Sequence, residues 1–175
     1  FVQIVYLLNN VKEVQSYLSE KELVDNELLQ LCNALVLPKQ LLADINRCID
    51  SSGNVLDGAS SELRRIRRQI LSIESNIRTK IDQVKVANKD YLSQEAISSR
   101  NNHLVLPVKA GNKNLIKGIV HAVSSSGQTM FIEPDIIVQM NNQLVHAKDD
   151  ERREVNRILT VLSNNVKDHY DILHE

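Results

Sequence analysis

The residues that invite chemistry lie between His103 and Pro134. His121 stands close to Ser124, Ser125 and Ser126, types that could supply a general base and a hydroxyl nucleophile. An imidazole in that role needs a carboxylate to orient it. The sequence offers none between Glu95 and Glu133, so nucleophilic catalysis is not expected. The run Ser124-Ser125-Ser126-Gly127-Gln128-Thr129 has the small polar character of a phosphate-binding loop. It lacks the paired glycines and the lysine before threonine that such a loop needs, and reads instead as a hairpin turn with Gly127 at positive φ. Five histidines and two cysteines are scattered without ligand spacing, so no metal is expected. Cys32 and Cys48 read as reduced core residues, not as a disulfide framework.

What remains is charge. Residues 96–132 contain no acid, while Arg100, Lys109, Lys113 and Lys117 give that stretch a net +4, with His103 and His121 besides. Nothing nearby neutralises the lysines. Arg100, His103, Lys109, Asn112, Lys113, Asn114 and Lys117 are therefore the candidate nucleic-acid contacts, made to the backbone and without base specificity. The pairs Arg64-Arg65 and Arg67-Arg68 lie off the apolar seam and read as a solvated face opposite an acidic helix.

These side chains need elements to hold them. Apolar runs at residues 104–108, 115–123 and 129–132, broken by turn residues, predict a three-stranded antiparallel meander, with the middle run covered on both faces or placed mid-sheet. Three strands of this size are not stable alone. Upstream, Leu63, Ile66, Ile70, Ile73, Ile77, Ile81, Val84, Ala87 and Tyr91 recur over 28 residues in eight steps, a mean of 3.5 that marks a helix packed along one seam. Downstream, Val155, Ile158, Leu162, Val166, His169 and Leu173 repeat the pattern. From Glu62 to Glu95 eight basic residues face five acids, and from Glu133 to Glu175 five face nine, so the two helices carry opposite charge. The expected fold is mainly α with a small antiparallel β insert: a helical base (1–59), an ascending long helix (60–98), a β tip (99–134) and a descending long helix (135–175), the two helices being the levers and the tip the clamp that the resemblance below implies. Setting Tyr91 against Leu144 places the polar stretch 146–154 opposite residues 81–89, as a compliant neck.

The rest of the chain agrees with such a fold. At 175 residues it makes one or two modest domains, and 3% aromatic content suits long helices better than sandwiches. The first helix carries Val2, Val5, Leu8, Val11, Val14 and Leu18 at helical spacing; a second is expected from Lys21 to Leu37 and a third from Lys39 to Ile49. Ser60 or Ser61 is placed to cap the long helix. The net charge of −1 hides the segmental pattern. No apolar run reaches the length of a membrane span and no signal peptide is visible, so a cytoplasmic protein is expected. The chain opens on Phe1 and breaks off inside a helical pattern, as a piece of a longer protein would.

One resemblance sharpens this. Ile49-Asp50-x-x-Gly53-x-Val55-Leu56-Asp57-x-Ala59-Ser60, followed by Leu63, Ile66 and Arg67, is similar to the lead-in of the second MutS paralogue of bacteria. So are Leu106-Pro107-Val108-Lys109, Gly118-Ile119-Val120-His121, the serine turn running into Phe131-Ile132-Glu133-Pro134, and Asn141-Asn142-x-Leu144. The resemblance covers residues 45–160. It implies the core, lever and clamp region of a MutS-like protein that embraces DNA, non-catalytic in this segment. It also implies a homodimeric whole protein with an ATPase domain using ATP and magnesium and a C-terminal Smr nuclease domain, neither within this chain. Recombination control and the rescue of collided ribosomes are the roles implied, with DNA or ribosomal RNA as partner. The alternative is an arm whose β insert docks a protein such as a ribosomal protein.

Overall fold

The computed structural model describes residues 1–19, 30, 31, 34–94, 96–100 and 103–174. They fall into two compact units, one of residues 1–65 with 152–175 and one of residues 66–151. The first is helical. α1 (Val2–Ser19) and α2 (Lys39–Cys48) share a core through Leu8, Leu41, Leu42, Ile45 and Cys48. Cys48 is buried and free; Cys32 and most of the helix expected over 21–37 lie outside the described residues. Two long helices follow, α3 (Ser61–Ala87) and α4 (Asp135–Asp168), then the short α5 (Tyr170–His174). In the first unit the opening of α3 and the close of α4 contribute Leu63, Ile158 and Leu162 to the same core. Ser60 caps α3, its Oγ accepting from the Leu63 amide at 2.9 Å and donating to Glu154 Oε1 at 2.7 Å.

In the second unit α3 from Ile66 onward pairs with α4 as far as Glu151. Ile66 and Ile70 enclose Ala147, while Ile77 and Ile81 share a core with Ile137. The direction is antiparallel as expected, but the register is not the expected one. α3 stops at Ala87, and Tyr91 is an exposed residue of the 3₁₀ turn Lys89–Tyr91. α4 starts directly behind the sheet at Asp135, so Ile137 and Met140 already fill the seam beside Ile77 and Ile81. The stretch read as a compliant neck therefore sits elsewhere. Ala147 lies in the seam, Arg67 pairs with Glu151 at 2.7 Å, and Lys148 pairs with Glu74 at 3.0 Å.

The same unit holds β1 (Ser98–Arg100), β2 (His103–Lys109), β3 (Gly118–Val123) and β4 (Thr129–Pro134), all pairing antiparallel in the order β1-β2-β4-β3. The expected three-stranded meander is thus a four-stranded sheet with a crossover. The strand expected to be covered on both faces or placed mid-sheet, β3, is an edge, with Ile119, Val120 and Val123 about half exposed at 49%, 48% and 52%. The centre belongs to β4, whose residues from Phe131 to Pro134 are all buried. β1 escaped notice because Ser98-Ser99-Arg100 carries no apolar or β-branched signal. Lys109 is paired with Thr129 and Gly118 with Pro134, so the connection 110–117 returns the chain along β4 over about 17 Å. It does so through a 3₁₀ segment, Ala110–Leu115, and anchors in the core by Ile116. Gly118 permits the return: a Cβ there would collide with the carbonyl oxygen of Glu133.

Candidate functional site

The crossover that carries β2 to β3 also carries the basic residues singled out by sequence. Lys109 closes β2 and its Nζ donates to the Asp90 carbonyl at 2.9 Å. Lys113 and Asn114 are exposed on the 3₁₀ segment, Asn112 is half-buried beside them, and Lys117 is exposed just before β3. The register sets Lys109 and Lys117 near the two ends of the return of about 17 Å, with Lys113 on the 3₁₀ segment between them, a span of a few successive phosphates. Arg100, exposed on β1, lies with its guanidinium carbon 4.7 Å from the centroid of the Phe131 ring, a cation–π contact that fixes the side chain over β4. The serine turn is structural, as expected. Ser124 Oγ accepts from the Thr129 amide at 3.0 Å, the Gly127 amide donates to the Ser124 carbonyl at 2.8 Å, and Gly127 has φ +71°.

His103, the remaining predicted contact, faces Glu133 with one of its ring nitrogens. Glu133 of β4 is 1% exposed, and it is held by three side chains from three elements. His103 Nδ1, at the start of β2, stands 3.0 Å from Oε1; His121 Nε2, on β3, stands 2.7 Å from Oε2; Asn141 Nδ2, on α4, donates to Oε1 at 2.5 Å. The two imidazole rings lie side by side with centroids 4.9 Å apart. Burial pushes the Glu133 carboxyl up, but hydrogen bonds from His103, Asn141 and His121 and the charge of His103 outweigh it, leaving the group below its ordinary range. His121 reaches this position through a β-bulge. Val120 pairs with Ile132 and Ala122 with Phe131, so His121 is the extra residue, the kind of irregularity that re-aims a side chain.

The acid-free stretch 96–132 ends one residue before the carboxylate that the imidazole needs. Glu133 itself orients His121. The signal was weak because the partners are 12, 30 and 8 residues from Glu133 along the chain, and because a bulge cannot be read from alternation. Asn141 sits in an unbroken α4 and is aimed at Glu133.

Paired long helices bearing a small antiparallel sheet, with a basic crossover on that sheet, define a helical scaffold that presents a β module. No family model matches the chain. Curated relatives do. It is 39% identical to Endonuclease MutS2 of Halalkalibacterium halodurans over 97% of its length and 22% of the relative's. It is 39% identical to Putative endonuclease MutS2 of Bacillus subtilis over 99% of its length and 23% of the relative's. With Endonuclease MutS2 of Shouchella clausii identity reaches 48% over 70% of the chain and 16% of the relative. The chain belongs to the MutS2 family and spans about a fifth of the length of the curated relatives it matches. Among the described residues no helix is long and apolar enough to cross a membrane.

Proposed function

We propose that this chain is the lever and clamp segment of a MutS2 protein and that its β module grips a nucleic-acid backbone. The observation that carries the reading is that Lys109, Lys113 and Lys117 are exposed on one crossover, in a stretch of sequence from 96 to 132 without one acid. Lysines so spaced meet phosphates and read no bases, and a grip of this kind tolerates any sequence. Arg100, Asn112 and Asn114 add a guanidinium and two amides to the same module. In the whole protein, acting in the cytoplasm as a dimer with ATP, magnesium and a nuclease domain supplied elsewhere, this segment holds the nucleic acid and does no chemistry. Control of recombination on DNA and rescue of collided ribosomes on ribosomal RNA both fit such a grip. The test is binding of labelled duplex DNA and duplex RNA by the chain and by its Lys109→Glu/Lys113→Glu/Lys117→Glu variant at low salt. The variant should bind at least about tenfold more weakly, since each lost phosphate contact removes counterion release. Equal binding by both proteins would remove the grip from this face.

One observation favours a second reading, a protein-docking arm. Leu115, Ile119, Val120 and Val123 stay exposed along and beside an edge strand, which suits an apolar partner such as a ribosomal protein. A protein partner bound here would persist at high salt, whereas a phosphate grip would not.

A further inference from the structure

Three strands bring two imidazole nitrogens and a carboxylate together, an arrangement that a lysine grip on phosphates does not need. We infer that His103, His121 and Glu133 form a binding site for a zinc-class divalent cation. The donor atoms, His103 Nδ1, His121 Nε2 and a Glu133 carboxylate oxygen, all lie within 4.8 Å of one another. Two imidazoles and one carboxylate are a zinc donor set, and nitrogen donors select zinc, cobalt or nickel over magnesium and calcium. A tetrahedral ion with bonds of about 2.1 Å separates its ligands by roughly 3.4 Å. His103 now stands 3.0 Å from Oε1 and His121 2.7 Å from Oε2, and all the donors lie within 4.8 Å, so a shared ion asks the carboxylate and imidazoles to shift by about an ångström or less.

Surroundings fit the same assignment. The His121 side chain is 12% exposed and that of Glu133 1%, while the His103 side chain is 40% exposed, which leaves an entry path and room for a water as fourth ligand. Asn141 already donates to Oε1 and would orient the carboxylate, the task of a residue behind the ligands. Charge points the same way. Glu133 is a buried carboxylate with two imidazoles and an amide around it, a setting in which a bound cation offsets the cost of burying its charge. A divalent cation taking the place of the bridging protons ties β2, β3 and β4 at one point. The absence of ligand spacing along the sequence is no obstacle, because the donors come from separate strands and one from a bulge.

The experiment uses the metal-free chain. Zinc is titrated against a competing chromophoric chelator, and cobalt is added separately for its visible d–d absorption. The expected result is one zinc per chain, an intense cobalt band of the tetrahedral type, and affinity that falls as pH is lowered and the imidazoles take up protons. His103→Gln and His121→Gln should each weaken binding at least about tenfold, with His146→Gln, away from the cluster, unchanged. His103 is half exposed, so His103→Gln keeps the inference open to refutation even if His121→Gln fails to fold, and circular dichroism checks both. Absence of stoichiometric zinc binding, or binding that both substitutions leave intact, would overturn the site and leave a proton-bridged clamp on Glu133.

Discussion

Glu133 and Glu154 are both buried carboxylates, and the chain satisfies them by different means. Glu133 has imidazoles and an amide, whereas Glu154 has the Arg157 fork, with Nε to Oε2 at 2.8 Å and a second nitrogen to Oε1 at 2.7 Å, and the hydroxyl of Ser60. Hydrogen bonds from Arg157 and then Ser60 hold the Glu154 carboxyl at about 2 against an ordinary value of 4.5. A carboxyl depressed in the folded state contributes stability that is complete above its unfolded pKa and is lost as pH falls through the folded one. The chain should therefore lose stability progressively from about pH 5 down to about pH 2. Glu154→Gln should cost about 1–3 kcal/mol near pH 7, since it weakens charged hydrogen bonds at the α3 cap, and should flatten the acid limb over that window. Chemical denaturation of both proteins across pH measures it; parallel pH curves would mean that Glu154 is not the titrating group.

At the scale of elements, Gly118 and the β3–β4 pair carry the clearest expectation. Gly118→Ala drives a methyl into the Glu133 backbone, so β3 must lift from β4 at its first pair, Gly118 with Pro134. A loss of roughly 1–3 kcal/mol is expected, together with faster amide exchange over residues 118–121 and little change in α3. Uniform loss of protection across the second unit would place the effect elsewhere. This contrast also marks what the sequence made legible. The long helices showed plainly, because Leu63, Ile66, Ile70, Ile77 and Ile81 repeat a seam locally and all five are buried. Ser60 as cap and Gly127 as turn were legible for the same reason, being fixed by their immediate neighbours. The strand order was not, since alternation in β3 shows two mixed faces and cannot say whether a neighbour strand lies on one side or both. Helix register failed likewise, because residues 146–154 offer the seam only Ala147, and their partners depend on where α4 starts behind β4. Glu133 was hidden longest, its function being assembled from β2, β3 and α4.

The whole chain belongs to the MutS2 family, and the proposed function has its β module hold a phosphate backbone. Such a hold is written in its salt dependence. Each phosphate neutralised on duplex DNA contributes a slope of about −0.9 to log Kobs against log salt. The most direct measurement is that slope for duplex DNA, taken for the chain and for Lys109→Glu/Lys113→Glu/Lys117→Glu over the same salt range. The chain should show a steep negative slope, and the variant one shallower by about 2–3, in step with three lost contacts. Identical slopes, or binding by the chain that is indifferent to salt, would contradict the account.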